Sequence, residues 1–369
     1  MRAIVLVGGA GTRLRPLTYS LPKPLLPIAN VAFLSRQLAW LAAHGIDEVV
    51  LSLGYLPDAF VAHLPGDRFE DMKVRYAIED EPLGTAGGVR YAADTAGVDE
   101  RFVVCNGDVL TNLDLTELIA IHAARHADAT IHLTRVDNPS AFGVVPTGSD
   151  GEVRAFIEKP PAGRAPTNWV NAGTYVLEPS VLDRIPARLN TSIERETFPR
   201  LLEQSGRLFG YQSDDYWIDI GTPEKYLEAH ADILAGRLGP EACAAAGATP
   251  VRPGVWSGPD VAVAGTAVVE APALLGGGSV VGDEARVDAS VLGAGCEIGA
   301  GAAVVRSVLL DGAALAPGAA VHGSVVGPGA FVGVGATVDA CSVIGAGARI
   351  ADRARLSGDR VPVMGASRR

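Results

Sequence analysis

At 369 residues, with 48% apolar and 20% charged residues, the chain is globular and long enough for two domains with separate cores. A net charge of −11 argues against nucleic acid or an anionic membrane as partner, so a phosphate site would be a local basic island on an acidic protein. The four cysteines form no C-x-x-C pair, the first residues carry no signal-peptide pattern and no apolar run reaches the length of a membrane span, so a reduced, cytoplasmic setting is expected.

Residues 4–7 form a continuous apolar run and read as a buried strand. Directly behind it stands Gly8-Gly9-Ala10-Gly11-Thr12-Arg13-Leu14-Arg15-Pro16-Leu17-Thr18, followed by Pro22-Lys23-Pro24-Leu25-Leu26-Pro27-Ile28. Glycine lets backbone N–H groups close around a phosphate chain because no Cβ blocks the approach. Arg13, Arg15 and Lys23 add positive charge to the same stretch. A tight turn of an α/β protein would explain the glycines but not the three cations. The string is no P-loop, since G-x-x-x-x-G-K-[ST] is absent, and no dinucleotide fingerprint, since Leu14 occupies the place of the third glycine.

Residues 34–44 read as a helix, 48–53, 74–77, 101–105 and 130–134 as strands, and 113–126 as a helix with apolar residues at helical spacing. This alternation predicts a mostly parallel, Rossmann-like sheet with helices on both faces, and ligands outside the carboxyl ends of its strands. The glycine turn and Asn106-Gly107-Asp108 both fall at such ends and should converge. The last helical signal covers 226–238. Composition then shifts, which divides the chain into an α/β domain at 1–240 and a second domain at 250–369.

Beyond residue 250 an aliphatic residue returns every six positions: Val255, Val261 and Ala267, then Leu275, Val281 and Val287, then Leu292, Ile298 and Val304, and onward to Ile344, Ile350 and Leu356. Units such as Leu292-Gly-Ala-Gly-Cys-Glu place the aliphatic inward and small residues at the turns. This period predicts a left-handed parallel β-helix of hexapeptide repeats. A disordered Gly/Ala-rich tail would not hold an aliphatic residue in phase for a hundred positions.

Asp108 ends an expected strand beside the glycine turn, a place suited to holding Mg²⁺, although an isolated N-G-D is more often a plain turn. Asp219, in Tyr216-Trp217-Ile218-Asp219-Ile220-Gly221-Thr222-Pro223, is a second acidic candidate, with a helix cap as its ordinary alternative. Glu158-Lys159-Pro160 follows an expected strand at 153–157. Lys159 suits a phosphate monoester, and Glu158 can accept from vicinal sugar hydroxyls. Glu79-Asp80-Glu81-Pro82-Leu83-Gly84-Thr85-Ala86-Gly87 reads as a base-binding turn. A carboxylate accepts both guanine donors, N1–H and the 2-amino group, so Glu79 or Glu81 favours guanine over thymine or uracil.

The string G-G-x-G-T-R-L-x-P-L-T with P-K-P-L-L-P-I resembles the sugar-1-phosphate nucleotidyltransferases, also called nucleotide-sugar pyrophosphorylases. With E-P-L-G-T-A-G, F-I-E-K-P, N-A-G-T-Y, S-I-E-R-E-T-F-P and Y-W-I-D-I-G-T-P-E-K-Y-L, residues 1 to about 235 look most like the GDP-mannose pyrophosphorylase branch. The resemblance implies GTP and mannose 1-phosphate as substrates and Mg²⁺ on Asp108 and Asp219. It implies a nucleotide site at Leu6, Gly8, Gly9, Gly11, Thr12, Arg13, Lys23, Glu79, Glu81, Gly84 and Thr85. It implies a sugar-phosphate site at Gly143, Glu158, Lys159 and Asn171. Arg13, Lys23, Asp108 and Asp219 would be the catalytic set. Gly107 and Leu26-Pro27-Ile28 are nearer the thymidylyl-transferring relatives, which keeps a glucose-1-phosphate thymidylyl- or uridylyltransferase as an alternative. A non-catalytic, nucleotide-sugar-sensing subunit is a further alternative, against which stands the retained charged set. A homo-oligomer, formed through the β-helix, is expected.

Overall fold

The computed structural model describes residues 1–204, 206–239 and 241–362. Its contacts divide the chain into two compact units: Met1–Ala10 with Leu34–Trp217, and Gly11–Phe33 with Ile218–Arg369.

The first unit is built on a mixed sheet. At its centre run four parallel strands, β1 (Arg2–Leu6), β2 (Glu48–Leu53), β3 (Met72–Ile78) and β4 (Phe102–Asn106), in the order β3-β2-β1-β4. Antiparallel additions widen it: β5 (Ala129–Arg135), β6 (Gly143–Val144), β7 (Ile157–Glu158) and β8 (Trp169–Leu177), with β8 lying against both β4 and β5. A ninth strand, β9 (Leu208–Gln212), runs parallel to β5. The parallel core is as expected, and the antiparallel flank is what the alternation rule did not predict. Helices α1 (Phe33–Ala43), α2 (Gly84–Ala96) and α3 (Leu115–Ala124) connect the strands. Asp114 caps α3 by accepting from Glu117 N at 3.0 Å. Ile4, Val50, Val104, Ile131 and Tyr175 are buried in one core, and full burial of each such side chain contributes about 1.5–3 kcal/mol.

The strand expected at 153–157 does not form. Val153 makes an isolated bridge to Thr147, and only Ile157 and Glu158 join the sheet, opposite Val144 and Gly143. Arg154 N instead donates to Pro146 O, which ties a turn across the segment.

In the second unit, α4 (Pro223–Leu234) is capped by Thr222, whose hydroxyl accepts from Lys225 N, and opens with Pro223, which lacks the N–H that a first helical turn would leave unpaired. It ends four residues before the expected 238. After a short helix, Glu241–Ala244, and a strand, Thr249–Arg252, that pairs antiparallel with Val255–Ser257, the chain coils into three stacked sheets of six or seven short parallel strands. Leu275 lies over Leu292, Leu292 over Leu309, Leu309 over Val326 and Val326 over Ile344, and the other two sheets repeat this. The inward aliphatics form one buried column. The first coil departs from the expected phase. Ser257, Val263 and Val269 pair with Leu275, Val281 and Val287, so Val255, Val261 and Ala267 stand two residues out of register. The structural count runs in unbroken sixes from 257 to 287. Val255 is nevertheless buried in the column, with Val261 and Ala267 packed against it, whereas Val263 is exposed at the end of the stack. Residues 363–369 of the expected domain lie outside the described residues.

Candidate active site

In the first unit, the strand ends assemble as expected. Leu6 pairs with Asn106, and Gly107 N donates to Leu6 O at 2.9 Å, so the two turns meet at the carboxyl end of β1. A Cβ on Gly107 would overlap Val7 Cγ1 and stand 2.7 Å from Leu6 O, so glycine there is the condition for Asp108 to follow β4 at this place. Gly9 is the opposite case. Nothing lies within 4 Å of where its Cβ would be, so packing within the protein does not demand glycine there.

Glu79, at the end of β3, has both carboxylate oxygens engaged. Oε1 accepts from Ser52 Oγ at 2.7 Å and Oε2 from Leu83 N at 2.9 Å. Each oxygen keeps a second lone pair, so the clasp orients the group without exhausting it. Gly88 makes room for it, since a Cβ there would be 2.9 Å from Oε1. Glu81 is exposed. Gly84 adopts φ +70°, and a Cβ would come 2.7 Å from Thr191 O. The Thr85 hydroxyl is committed twice, donating to Glu194 Oε2 and accepting from Ile193 N, each at 2.8 Å. Its side chain therefore fixes the turn.

The sugar-phosphate candidates also gather in this unit. Gly143 pairs with Glu158, and a Cβ on Gly143 would press on Phe156 at 2.6 Å and on Glu158 Oε2 at 3.1 Å. Glu158 Oε1 lies 3.6 Å from Lys159 Nζ and 3.6 Å from Arg195 Nη2. Lys159 takes a left-handed conformation at φ 48°, and its N–H donates to Phe142 O. Asn171 sits at a bulge in β8, donating to Tyr175 Oη at 2.8 Å and accepting from Gly173 N at 3.0 Å. Sequence reasoning missed Arg195 and Glu194. Both lie inside the S-I-E-R-E-T motif, where the signal was present without a role attached. Burial pushes the Tyr175 phenol well above its usual range, and neighbouring Glu194 adds to that, so it stays protonated.

In the second unit, Gly11 adopts φ +58°, and a Cβ would meet Lys23 Cβ at 2.9 Å, which draws the glycine turn onto the second basic point. Thr12 and Arg13 open a single helical turn, Thr12–Leu14, with Leu14 N donating to Gly11 O. Lys23 Nζ stands 3.9 Å from Asp219 Oδ1. Gly221 backs on to Arg13, whose Nη2 would lie 2.8 Å from a Cβ there. Arg15 turns aside and stacks over the Tyr19 ring at 5.0 Å. Tyr226 of α4 donates to Pro27 O at 2.5 Å, and His230 Nδ1 accepts from Ala29 N at 3.2 Å, so α4 anchors the segment that carries Lys23.

A parallel α/β core that ends in glycine turns, with cations and carboxylates on the following loops, defines a nucleotidyl-transferring protein. The chain belongs to the nucleotidyl transferase family, whose model matches residues 2–236. Residues 252–356 match the EIF2B subunit epsilon LbH domain. A mannose-1-phosphate guanylyltransferase of Mycobacterium tuberculosis is 41% identical over 296 residues, 78% of this chain and 81% of that one. Mannose-1-phosphate guanylyltransferase 1 of Arabidopsis thaliana is 38% identical over 294 residues, 78% and 76% of the two chains. Among solved structures, HddC from Yersinia pseudotuberculosis complexed with GMP-PN is 31% identical with TM-score 0.55, covering 63% of this chain and 99% of that one. Among the described residues no helix is long and apolar enough to cross a membrane.

Proposed function

We propose that this chain is a mannose-1-phosphate guanylyltransferase, joining GTP and mannose 1-phosphate into GDP-mannose with release of pyrophosphate. The observation that carries the reading is identity of about two residues in five to guanylyltransferases across more than three quarters of the chain. The clasped Glu79 carboxylate and the likeness to HddC, solved with GMP-PN, support a guanine nucleotide.

The reaction is an in-line displacement. A phosphate oxygen of mannose 1-phosphate attacks the α-phosphorus of GTP, and the bond to the β-phosphate oxygen breaks. The nucleophile is anionic at neutral pH, so no general base is needed, and positioning with charge stabilisation carries the rate. Arg13 neutralises the β- and γ-phosphates and the departing pyrophosphate. Lys23 faces the charge that develops on the α-phosphate. Lys159, with Arg195 beside it, holds the sugar phosphate, while Glu158 and Asn171 accept from and donate to the sugar hydroxyls.

Asp108 and Asp219 would be the carboxylates offered to a divalent cation. A pair of carboxylates is the kind of donor set that suits Mg²⁺, which keeps several waters and takes phosphate oxygens alongside one or two carboxylates. When bound, it would supply Lewis-acid stabilisation of the phosphate oxygens. The catalytic domain is assigned to 1–240 and the β-helix to 250–369, the latter as the surface of a homo-oligomer, in a cytoplasmic setting.

The test is pyrophosphate release with Mg²⁺, crossing GTP, dTTP, UTP, ATP and CTP with mannose 1-phosphate and glucose 1-phosphate. Turnover dominated by GTP with mannose 1-phosphate is expected. A dTTP and glucose 1-phosphate preference would overturn the substrate assignment, and no turnover with any pair would overturn the activity.

A further inference from the structure

A cavity of about 310 Å³ lies within the second unit, between α4 and one flank of the β-helix. Leu227, Ala231 and Leu234 line it from the helix, and Val291 and Val308 from the coils. The helical residues fall at i, i+4 and i+7, one face of α4. A space this large, partly open to solvent, reaches the lower range of small-molecule pockets, about 300–1,000 Å³.

The charges at its lining are unequal. Glu228 is already held by Lys225 at 2.7 Å. Arg306 is exposed on a left-handed corner at φ 47°, and its guanidinium joins no ion pair among the described residues. The pocket therefore offers apolar walls and one available cation.

His230 connects this cavity to the loop described above. It is buried, lines the cavity, stacks edge-on against Tyr226 with centroids 4.6 Å apart, and accepts from Ala29 N. Tyr226 in turn holds Pro27. Thr222 caps α4 directly after Asp219-Ile220-Gly221, where Asp219 faces Lys23 and Gly221 backs Arg13. One helix thus touches the cavity along one face and the phosphate-handling segment along the other.

We propose that this cavity binds a small amphipathic anion, an apolar body whose carboxylate, sulfonate or phosphate reaches Arg306, and that its occupancy changes nucleotide affinity through α4. The second half rests on the reading of residues 11–23 as the nucleotide loop. The first half stands without it.

The probe is 1-anilinonaphthalene-8-sulfonate, titrated into the full chain and followed by fluorescence. Saturable binding at one site is expected. Ala231→Trp, which fills the cavity, should abolish it, and Arg306→Gln should weaken it about ten-fold by removing a charged hydrogen bond. Saturating probe should shift the KM for GTP at least two-fold, with the shift gone in Ala231→Trp. Equal binding to wild type and both variants would overturn the site. So would competitive displacement by GTP with Ala231→Trp unaffected, since that places the probe in the nucleotide pocket. Should Ala231→Trp fail to fold, Arg306→Gln at an exposed corner decides the same question. Cavity binding with an unchanged KM for GTP would overturn the coupling. Because the binding arm needs no turnover, loss of the activity assignment and loss of this site are separate results.

Discussion

The two regions satisfy their buried polar groups in opposite ways. In the β-helix one rule repeats. Ser290, Ser307 and Ser324 each donate a hydroxyl to a carbonyl two residues back in the same coil. Each also accepts from the N–H of Ser307, Ser324 and Ser342 in the next coil, at 3.1–3.2 Å. In the α/β region the arrangements are individual: Ser52 and Leu83 donate to Glu79, Thr85 and Ser192 to Glu194, and Asn171 to Tyr175. A repeated contact spreads its contribution over neighbours of the same kind. A unique contact has no substitute, so single changes there should cost activity, and single changes in the coils should cost stability alone.

The hardest test of this contrast is Asp108→Asn against Asp311→Asn. Asp108 is a proposed cation ligand, and its loss should lower kcat by about two to three powers of ten with the thermal midpoint retained. Asp311 Oδ1 accepts from Ala294 N across two coils at 2.9 Å. Its amide variant should keep wild-type turnover in the pyrophosphate assay. Equal loss in both, or wild-type turnover in Asp108→Asn, would break the comparison.

A unique buried group can also set stability. Burial pushes the His132 imidazole down to about 4 from the ordinary 6.5, so the ring is neutral in the native state. The unfolded chain binds the proton more readily. The stabilisation is therefore complete above about pH 6.5 and is lost as pH falls towards 4, at about 1.4 kcal/mol per pH unit and about 3 kcal/mol in all. Urea unfolding at pH 7 and pH 4.5 should show a steeper fall for wild type than for His132→Asn. Parallel curves would remove His132 from the account.

Ser307→Ala tests the repeat itself. It leaves the buried Ser324 N–H without its acceptor and should destabilise by about 1–3 kcal/mol, with the KM for GTP unchanged. The fall in midpoint measures whether neighbouring coils can close over the gap, and a change in KM would contradict the separation of the two regions.

How much was legible follows the same division. The coils could be read almost residue by residue because their rule is local in sequence; in the first coil Val255 is buried as read, with Val261 and Ala267 packed against the column, while the strand pairing runs two residues later through Val263 and Val269. The strand at 48–53 was legible from its run of Val49, Val50, Leu51 and Leu53, as suits a strand buried along its whole length. The meeting of the two turns at Leu6 and Asn106 followed from their places at strand ends. The strand expected at 153–157 is broken by the isolated bridge at Val153 and the turn to Pro146, neither of which its residue types announce. Partners such as Ser52 for Glu79, or Thr85 for Glu194, stand 27 and 109 residues apart, and no local pattern announces them.

The smallest effect separates the two carboxylates that sequence reasoning could not. Glu79 is held by Ser52 and Leu83, whereas Glu81 is exposed at the same turn. A base acceptor gains from being fixed beforehand, because less freedom is lost when the base arrives. A glutamine at 79 can preserve the clasp, accepting from Leu83 N and donating to Ser52 Oγ, yet it presents only one acceptor where guanine needs two. Glu79→Gln should therefore lower the ratio of kcat/KM for GTP over dTTP by about ten-fold, the scale of one hydrogen bond, with little loss of stability. Glu81→Gln should leave that ratio within about two-fold, since an exposed carboxylate exchanges its bond with water at little net gain. The reverse order would move base reading to Glu81 and make Glu79 a turn-holding residue.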